Sequence, residues 1–426
     1  MINHPMAPRY RNRSGHKLTP AELQQAVAFE KQVAATPPGH LPDAYPGWLQ
    51  EFIEKSCRWV PAYKPLRGKP FQELPTWTRA DLSHSVERYV PDTVDVSRLI
   101  LFSTSGTTGH PLVVPSLPLV ASRYLAFYLA ALREIGIEPA RGADHVGILL
   151  AGYQEKCFTY VSVNPTLGES GLAKLNLHPN DWRSESHRGP YLDDMAPEVI
   201  SGDPISLAEL ARVGMQHKPR AIISTSMVLL PAQREYLETC FACPLLDIYS
   251  MNEAGPIAVY DTARQGYRLL QPWLHVETLD ASGQAVAPGE VGEITITGGF
   301  NDCLPLLRYR TGDYGILAMS ADGRPLLRAL QGRPPVRFRT PQGHWLNNLE
   351  ITHALKHCAL AQYALHQDAS GQLILRIFGP SAGMALARIA LHTLFGPRQP
   401  LRIEHLPLPT AKVIQYTSDL AGSGPL

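Results

Sequence analysis

The chain has 426 residues, of which 44% are hydrophobic, and its 39 Lys and Arg residues against 38 Asp and Glu residues give a formal net charge of +1. The length predicts two or three domains, and the balanced charge gives no electrostatic reason to expect nucleic acid or an anionic membrane as a partner. Residues 1–17 lack the apolar core of a secretory signal, no apolar run is long enough to span a membrane, and six cysteines are too few for a disulfide framework. We therefore expect a soluble, cytoplasmic protein.

Helical and strand-like patterns alternate along the chain. Apolar residues at helical spacing predict helices at 20–36, with Thr19 as N-cap, at 48–59, after Thr78, and at 121–135. Short apolar runs predict strands at 99–102, 112–114, 144–150, 221–225 and 245–249. The alternation of apolar and polar residues within 264–318 predicts antiparallel strands. A helix around 349–357 and a strand at 373–378 are predicted near the end.

This order of elements predicts an α/β multidomain fold. Residues 1–332 are expected to form a large N-terminal domain with α/β sheets, in which about 264–331 is a β-rich subdomain. Residues 333–426 are expected to form a small, mobile α+β C-terminal domain.

A turn rich in hydroxyl groups and glycine lies between two predicted strands. It consists of Ser103, Thr104, Ser105, Gly106, Thr107, Thr108 and Gly109, followed by His110 and Pro111. Such a turn offers a polyphosphate many short donors, and its glycines let backbone N–H groups approach without a Cβ in the way. It is not a Walker A loop, because the spacing with its lysine is absent. The alternative interpretation is a polar surface hairpin.

These residues resemble the phosphate-binding signature of the adenylate-forming superfamily, which includes acyl-CoA synthetases, adenylation domains and luciferases. Further segments agree in the family's order, and the second of them is similar to the phenylacetate–CoA ligase branch. They are Tyr249-Ser250-Met251-Asn252-Glu253, the run LPLLRYRTGD at 304–313, Gln331-Gly332-Arg333 with 347–350, and Lys412.

The resemblance implies an enzyme that uses ATP and Mg²⁺ to convert a carboxylic acid into an acyl-adenylate. Glu253 would bind Mg²⁺, Asp313 the ribose hydroxyls, and Asn252 the α-phosphate. The nucleotide would also contact Tyr249 by stacking, Asp247, Ile248 and Ser250 beside it, and Arg333 near the hinge. Lys412, carried by the small domain, would bridge the attacking carboxylate and the α-phosphate, where negative charge concentrates in the transition state.

The acid and the acceptor remain open at this point. The acyl pocket maps to Tyr153, Phe158, Thr225, Ser226, Met227, Ala254 and Gly255, which suits an aryl acid, including a fused-ring carboxylate of antibiotic biosynthesis. Glu155 and Lys156 could recognise a polar substituent or be a solvated pair. Pro334-Pro335 replaces the family's hinge sequence and should stiffen it, so the acceptor could be coenzyme A, a carrier-protein thiol or an amine.

Two other functions compete with this interpretation. His110, where the family commonly has lysine, and the proline-rich hinge are compatible with a non-catalytic nucleotide-binding or ligand-binding homologue that acts as a scaffold. A phosphotransferase is disfavoured, because no kinase lysine or Asp-Phe-Gly set is present. The Cys240-x-x-Cys243 pair is expected to be buried core, not a zinc site, and a homodimer is left open.

Overall fold

The structure is a computed structural model, and it describes residues 1–10, 17–38, 45–103, 112–153, 159–287, 289–321, 323–332, 336–355, 358–360, 362–379, 382–407, 413–421 and 423. Its helices are α1 (Pro20–Ala35), α2 (Gly47–Trp59), α3 (Arg79–His84), α4 (Pro118–Glu134), α5 (Arg188–Met195), α6 (Pro204–Val213), α7 (Pro231–Phe241), α8 (Asn348–Leu355) and α9 (Met384–Phe395).

The first strands are β1 (Ile100–Ser103), β2 (Val113–Ser116), β3 (Val146–Gly152), β4 (Tyr160–Asn164), β5 (Ser170–Asn176), β6 (Val199–Gly202), β7 (Ala221–Thr225), β8 (Leu245–Met251), β9 (Gly255–Asp261) and β10 (Gly266–Leu269). They are followed by β11 (Leu274–Leu279), β12 (Gly292–Gly298), β13 (Leu306–Met319), β14 (Pro325–Gly332), β15 (Arg337–Arg339), β16 (Trp345–Asn347), β17 (Gln362–Gln367), β18 (Leu373–Phe378), β19 (Leu401–Leu406) and β20 (Tyr416–Ser418).

One twelve-stranded sheet dominates the chain, in the order β11-β12-β13-β14-β10-β9-β8-β7-β6-β3-β5-β4. The strands β5, β3, β6, β7 and β8 run parallel to one another, whereas the pairings from β8 to β11 are antiparallel. The antiparallel strands predicted within 264–318 therefore extend the parallel sheet instead of forming a sheet of their own. A hairpin of β1 and β2 precedes this sheet in the chain.

A second, smaller unit follows β14. Its four-stranded sheet has the order β19-β18-β17-β20, with α8 and α9 packed against each other, and β15 pairs with β16. The fold class expected from the sequence is confirmed: an α/β chain with a large mixed sheet and a separate, smaller C-terminal unit.

The large sheet contributes to three hydrophobic clusters, two of which lie on its opposite faces. Apolar residues on one face pack against α1 and α4, those on the other face pack against α5, α6 and α7, and a third cluster fills the antiparallel half. The C-terminal unit has its own core, which includes Phe338, Ile351 and Leu391. Among the residues that the structure describes, no helix is long and apolar enough to cross a bilayer.

Candidate active site

The candidate site lies where the parallel strands end. The strands β3, β6, β7 and β8 end at Gly152, Gly202, Thr225 and Met251, and their carboxyl ends meet at one edge of the sheet. Ligands of open α/β sheets bind at this edge, outside the carboxyl ends of the strands. Of the residues predicted for the site, Tyr153, Ser226 and Asn252 directly follow three of these strands.

The turn between β8 and β9 presents Asn252 and Glu253. Met251 pairs with Gly255 across the turn, Asn252 is exposed and Glu253 is buried. The Tyr124 hydroxyl, from α4, donates to the Asn252 carbonyl oxygen (3.0 Å). These contacts hold the turn in one position relative to the sheet and to α4.

Gly255 allows this turn to form. Its φ is +70°, and a Cβ at this position would lie 2.3 Å from a ring carbon of Phe300. Only glycine avoids both the backbone strain and the collision. Ala254 and Gly255, which were predicted to line the acyl pocket, are both buried beneath the turn in this structure.

Asp313 is presented by a bulge in β13. Between the pairs Thr295↔Arg310 and Glu293↔Tyr314, β12 advances two residues while β13 advances four. The Glu293 carboxylate fixes the bulge by accepting from Arg310 Nε (2.6 Å) and from the backbone N–H of Gly312 (3.1 Å). Bulges re-aim side chains next to functional sites, and this one directs Asp313 toward β8.

Tyr249 and Asp313, which are 64 positions apart in the chain, meet through a hydrogen bond. The Tyr249 hydroxyl donates to Asp313 Oδ2 (2.8 Å). The pKa of Tyr249 lies well above its ordinary value because of burial first, and then because the carboxylates of Asp313 and Glu253 both act on it. The two predicted acids, Glu253 and Asp313, are therefore neighbours around a single tyrosine.

Glu253 is held by two residues that the sequence did not indicate. Its side chain is 1% exposed, and its Oε1 accepts from the Tyr309 hydroxyl (2.7 Å) and from Arg79 Nη1 (3.2 Å). Burial, followed by the Glu253 carboxylate, holds the pKa of Tyr309 well above its ordinary value. Tyr309 lies within the LLRYRTGD run, but the run alone does not show that its hydroxyl reaches Glu253.

The residues around Tyr249 alternate between the two faces of β8. Asp247 is buried, accepts from the Tyr267 hydroxyl (2.7 Å), and has its pKa raised to about 6 by burial. Ile248 is 2% exposed and lies in the core beside α4. Because side chains alternate along a strand, Ile248 can contribute only its backbone to a site that contains Asp247 and Tyr249, and Ser250 shares its face.

The residues predicted for the acyl pocket follow β7 and β3. Ser226 has a φ of +71°, and the backbone N–H of Met227 donates to the Thr225 carbonyl oxygen (2.9 Å), which makes a tight turn. Tyr153 lies with its ring centroid 5.6 Å from that of His178. The structure thus places Thr225, Ser226, Met227 and Tyr153 at the same edge of the sheet as Asn252.

Several predicted residues lie outside the part of the chain that the structure describes. They are 104–109 of the hydroxyl-rich turn, Glu155, Lys156, Phe158, Arg333 and Lys412. Ser103 is placed only as the end of β1. Cys240 and Cys243 pack against the core beside α5–α7, and the described residues contain no group of three or more His, Cys, Asp or Glu side chains that could hold a metal ion.

Known structures share this fold. The chain resembles 2-hydroxyisobutyryl-CoA ligase in the postadenylation state with R3-HIB-AMP (TM-score 0.61, 17% identity, 94% of this chain and 88% of that one). It also resembles the anthranilate CoA ligase AuaEII in complex with anthranoyl-AMP (TM-score 0.51, 14% identity, 93% of this chain and 89% of that one). A third similar structure is a benzoate CoA ligase from Burkholderia xenovorans LB400 (TM-score 0.50, 15% identity, 79% of this chain and 69% of that one). The chain therefore has the fold of the adenylate-forming ligases, as the sequence resemblance implied.

Sequence comparison adds a similarity that covers less of the chain. The chain is 22% identical over 253 residues to Protein CapK of Staphylococcus aureus, which is 57% of this chain and 53% of that protein. The similarity thus spans about half the length of this curated relative. No protein-family model matches the chain.

Proposed function

We propose that this chain is an AMP-forming carboxylate ligase, which activates an aryl carboxylic acid with ATP and passes the acyl group to coenzyme A or to another thiol or amine. The observation that carries the proposal is that Tyr249, Glu253 and Asp313 lie on two segments held together at the carboxyl edge of the parallel strands, since Tyr249 donates to Asp313 and Glu253 accepts from Tyr309. These three residues come from two motifs that resemble those of one nucleotide-binding family, and a shared site requires that they lie together.

The described residues fit a nucleotide bound with a divalent cation. Mg²⁺ takes one or two protein carboxylates and completes its shell with water and phosphate oxygens, so a single buried Glu253 is sufficient. When bound, Mg²⁺ would neutralise charge on the triphosphate. Asp313 would accept from the ribose hydroxyls, the exposed Asn252 would donate to the α-phosphate, and Lys412 would hold the attacking carboxylate against it.

The nature of the acid is proposed from the surroundings of the site. Tyr153 and Met227 are half-buried at the edge of the sheet where the small residues Thr225 and Ser226 also lie, and this combination of residues suits a flat ring. Two of the similar ligases act on anthranilate and benzoate, according to their names. We place the reaction in the cytoplasm, where coenzyme A and carrier-protein thiols are available as acceptors.

Acid-dependent exchange of labelled pyrophosphate into ATP tests the proposal. We expect exchange with at least one member of a panel of aryl and alkyl acids, and mass analysis of products formed with coenzyme A present identifies the acid and the acceptor together. ATP binding without exchange for any acid would instead support a non-catalytic binding protein.

Lys412→Ala tests the role of the C-terminal unit. We expect it to lower exchange by at least about a hundredfold while nucleotide binding, measured by calorimetry, is kept, because its charge is needed chiefly in the transition state. Lys31→Ala, which removes an exposed lysine of α1, is the matched control. Equal exchange in both variants would remove Lys412 from the site.

A further inference from the structure

Glu253 is a buried carboxylate that contacts a cationic side chain of this chain. Its Oε1 lies 3.2 Å from Arg79 Nη1 and 2.7 Å from the Tyr309 hydroxyl. A buried carboxylate without a positive partner is strongly unfavourable, because desolvation penalises its charged form. Arg79 therefore offsets part of the cost of burying the Glu253 carboxylate.

The backbone segment that carries Arg79 is fixed against β13. The backbone N–H of Trp77 donates to the Arg308 carbonyl oxygen (3.1 Å), and the N–H of Arg310 donates to the Trp77 carbonyl oxygen (2.7 Å), so that Trp77 lies alongside β13. Thr78 then caps α3, of which Arg79 is the first residue. The guanidinium thus reaches Glu253 from an anchored position, and its side chain is 25% exposed.

The same carboxylate is the one assigned to a divalent cation in the proposed function, on which this inference rests. Two cations that share one small carboxylate repel each other, and the repulsion is strong where water is excluded. We propose that Arg79 is the resting counter-ion of Glu253 and yields the carboxylate when the site takes up its divalent cation. Arg79 is then a positioning residue that sets how tightly the site holds the cation.

Binding of Mn²⁺ alone, followed by the loss of its free-ion electron paramagnetic resonance signal, measures this competition without nucleotide or turnover. Arg79→Gln keeps hydrogen-bonding capacity and removes the charge, and we expect it to bind Mn²⁺ at least about tenfold more tightly than the unmodified protein. Arg79→Lys keeps the charge and should remain within about threefold of the unmodified protein. The exposed Arg67 provides the control variant Arg67→Gln, which should not change the affinity.

A double variant tests whether the gain in Mn²⁺ affinity acts through Glu253. In Arg79→Gln/Glu253→Gln the gain in Mn²⁺ affinity should disappear, because the carboxylate that was uncovered is gone. Equal or weaker Mn²⁺ binding in Arg79→Gln than in the unmodified protein would overturn the proposal, and so would a gain that persists in the double variant.

Thermal unfolding with and without Mg²⁺ separates a counter-ion from a purely structural arginine. Arg79→Gln should lower the melting temperature more in EDTA than in Mg²⁺, because the metal replaces the missing charge. An equal loss under both conditions would refute the proposal. Neither measurement depends on turnover, so a failure of pyrophosphate exchange would reject the proposed function without changing these results.

Discussion

The ionisation of Asp247 should destabilise the folded protein as the pH rises. Asp247 is 5% exposed, and burial raises its pKa from the ordinary value of 3.8 to about 6, although Tyr267 donates to it. An acid with a higher pKa in the folded state binds its proton more tightly there, so its stabilising contribution is complete below pH 3.8 and is lost as the pH rises past about 6. A shift of about 2 pKa units, at about 1.4 kcal/mol per unit, corresponds to about 3 kcal/mol.

Asp247→Asn tests this magnitude, because the amide does not ionise and keeps an oxygen that can accept from Tyr267. We expect the free energy of unfolding of the variant, relative to that of the unmodified protein, to be about 2.4 kcal/mol higher at pH 7 than at pH 4, because part of the loss has already occurred at pH 4. Urea denaturation at a series of pH values measures the difference. Asp92→Asn, which removes a surface partner of Lys64, should show no comparable trend. A difference for Asp247→Asn that stays constant from pH 4 to pH 7 would refute the reasoning.

Two stability predictions follow from the supports of the site. Arg308→Ala should lower the free energy of unfolding by about 3–5 kcal/mol in chemical denaturation, because it removes a buried cation and leaves the partly buried Glu277 carboxylate without its partner; a loss below about 1 kcal/mol would contradict this. Gly255→Ala should cost about 2–4 kcal/mol, since its Cβ would collide with Phe300 at a positive φ. Gly255→Ala/Phe300→Leu should recover part of that loss in thermal unfolding, because the smaller side chain relieves the collision. If nothing is recovered, the loss comes from the strained backbone of Ala at a positive φ and not from the collision.

Local sequence patterns located the elements well, because caps and periodicity are properties of neighbouring residues. Thr19 and Thr78 each form a capping box at the start of a helix, as their positions indicated. The strands predicted at 221–225 and 373–378 have the same bounds in the structure. The continuity of the antiparallel strands with the parallel sheet could not be predicted, since it depends on the pairing of β9 with β8 and β10, not on any single pattern.

The motifs identified the acids of the site but not the residues that hold them. Tyr267 and Tyr309 look in the sequence like ordinary strand tyrosines, and Arg79 looks like a solvated residue at the start of a helix. Their roles arise from contacts over 20, 56 and 174 positions of the chain, which no local signal encodes. The placement of Ile248, in contrast, was predictable, because alternation along β8 puts it on the opposite face from Tyr249.

Carboxylates of the large sheet accept hydrogen bonds from two kinds of side chain, arginine and tyrosine. Glu277 and Glu293 accept from Arg308 and Arg310, so these carboxylates are neutralised within the protein.

Asp313, Asp247 and Glu253 each accept from a tyrosine hydroxyl, which satisfies an oxygen without adding a positive charge. A tyrosine hydroxyl is neutral, so the charge of a carboxylate held in this way has to be balanced by another group. For Glu253 that group is Arg79, and this is the carboxylate for which a doubly charged competitor is proposed. Tyr309 can therefore hold Glu253 in place while its counter-ion changes from Arg79 to the proposed divalent cation.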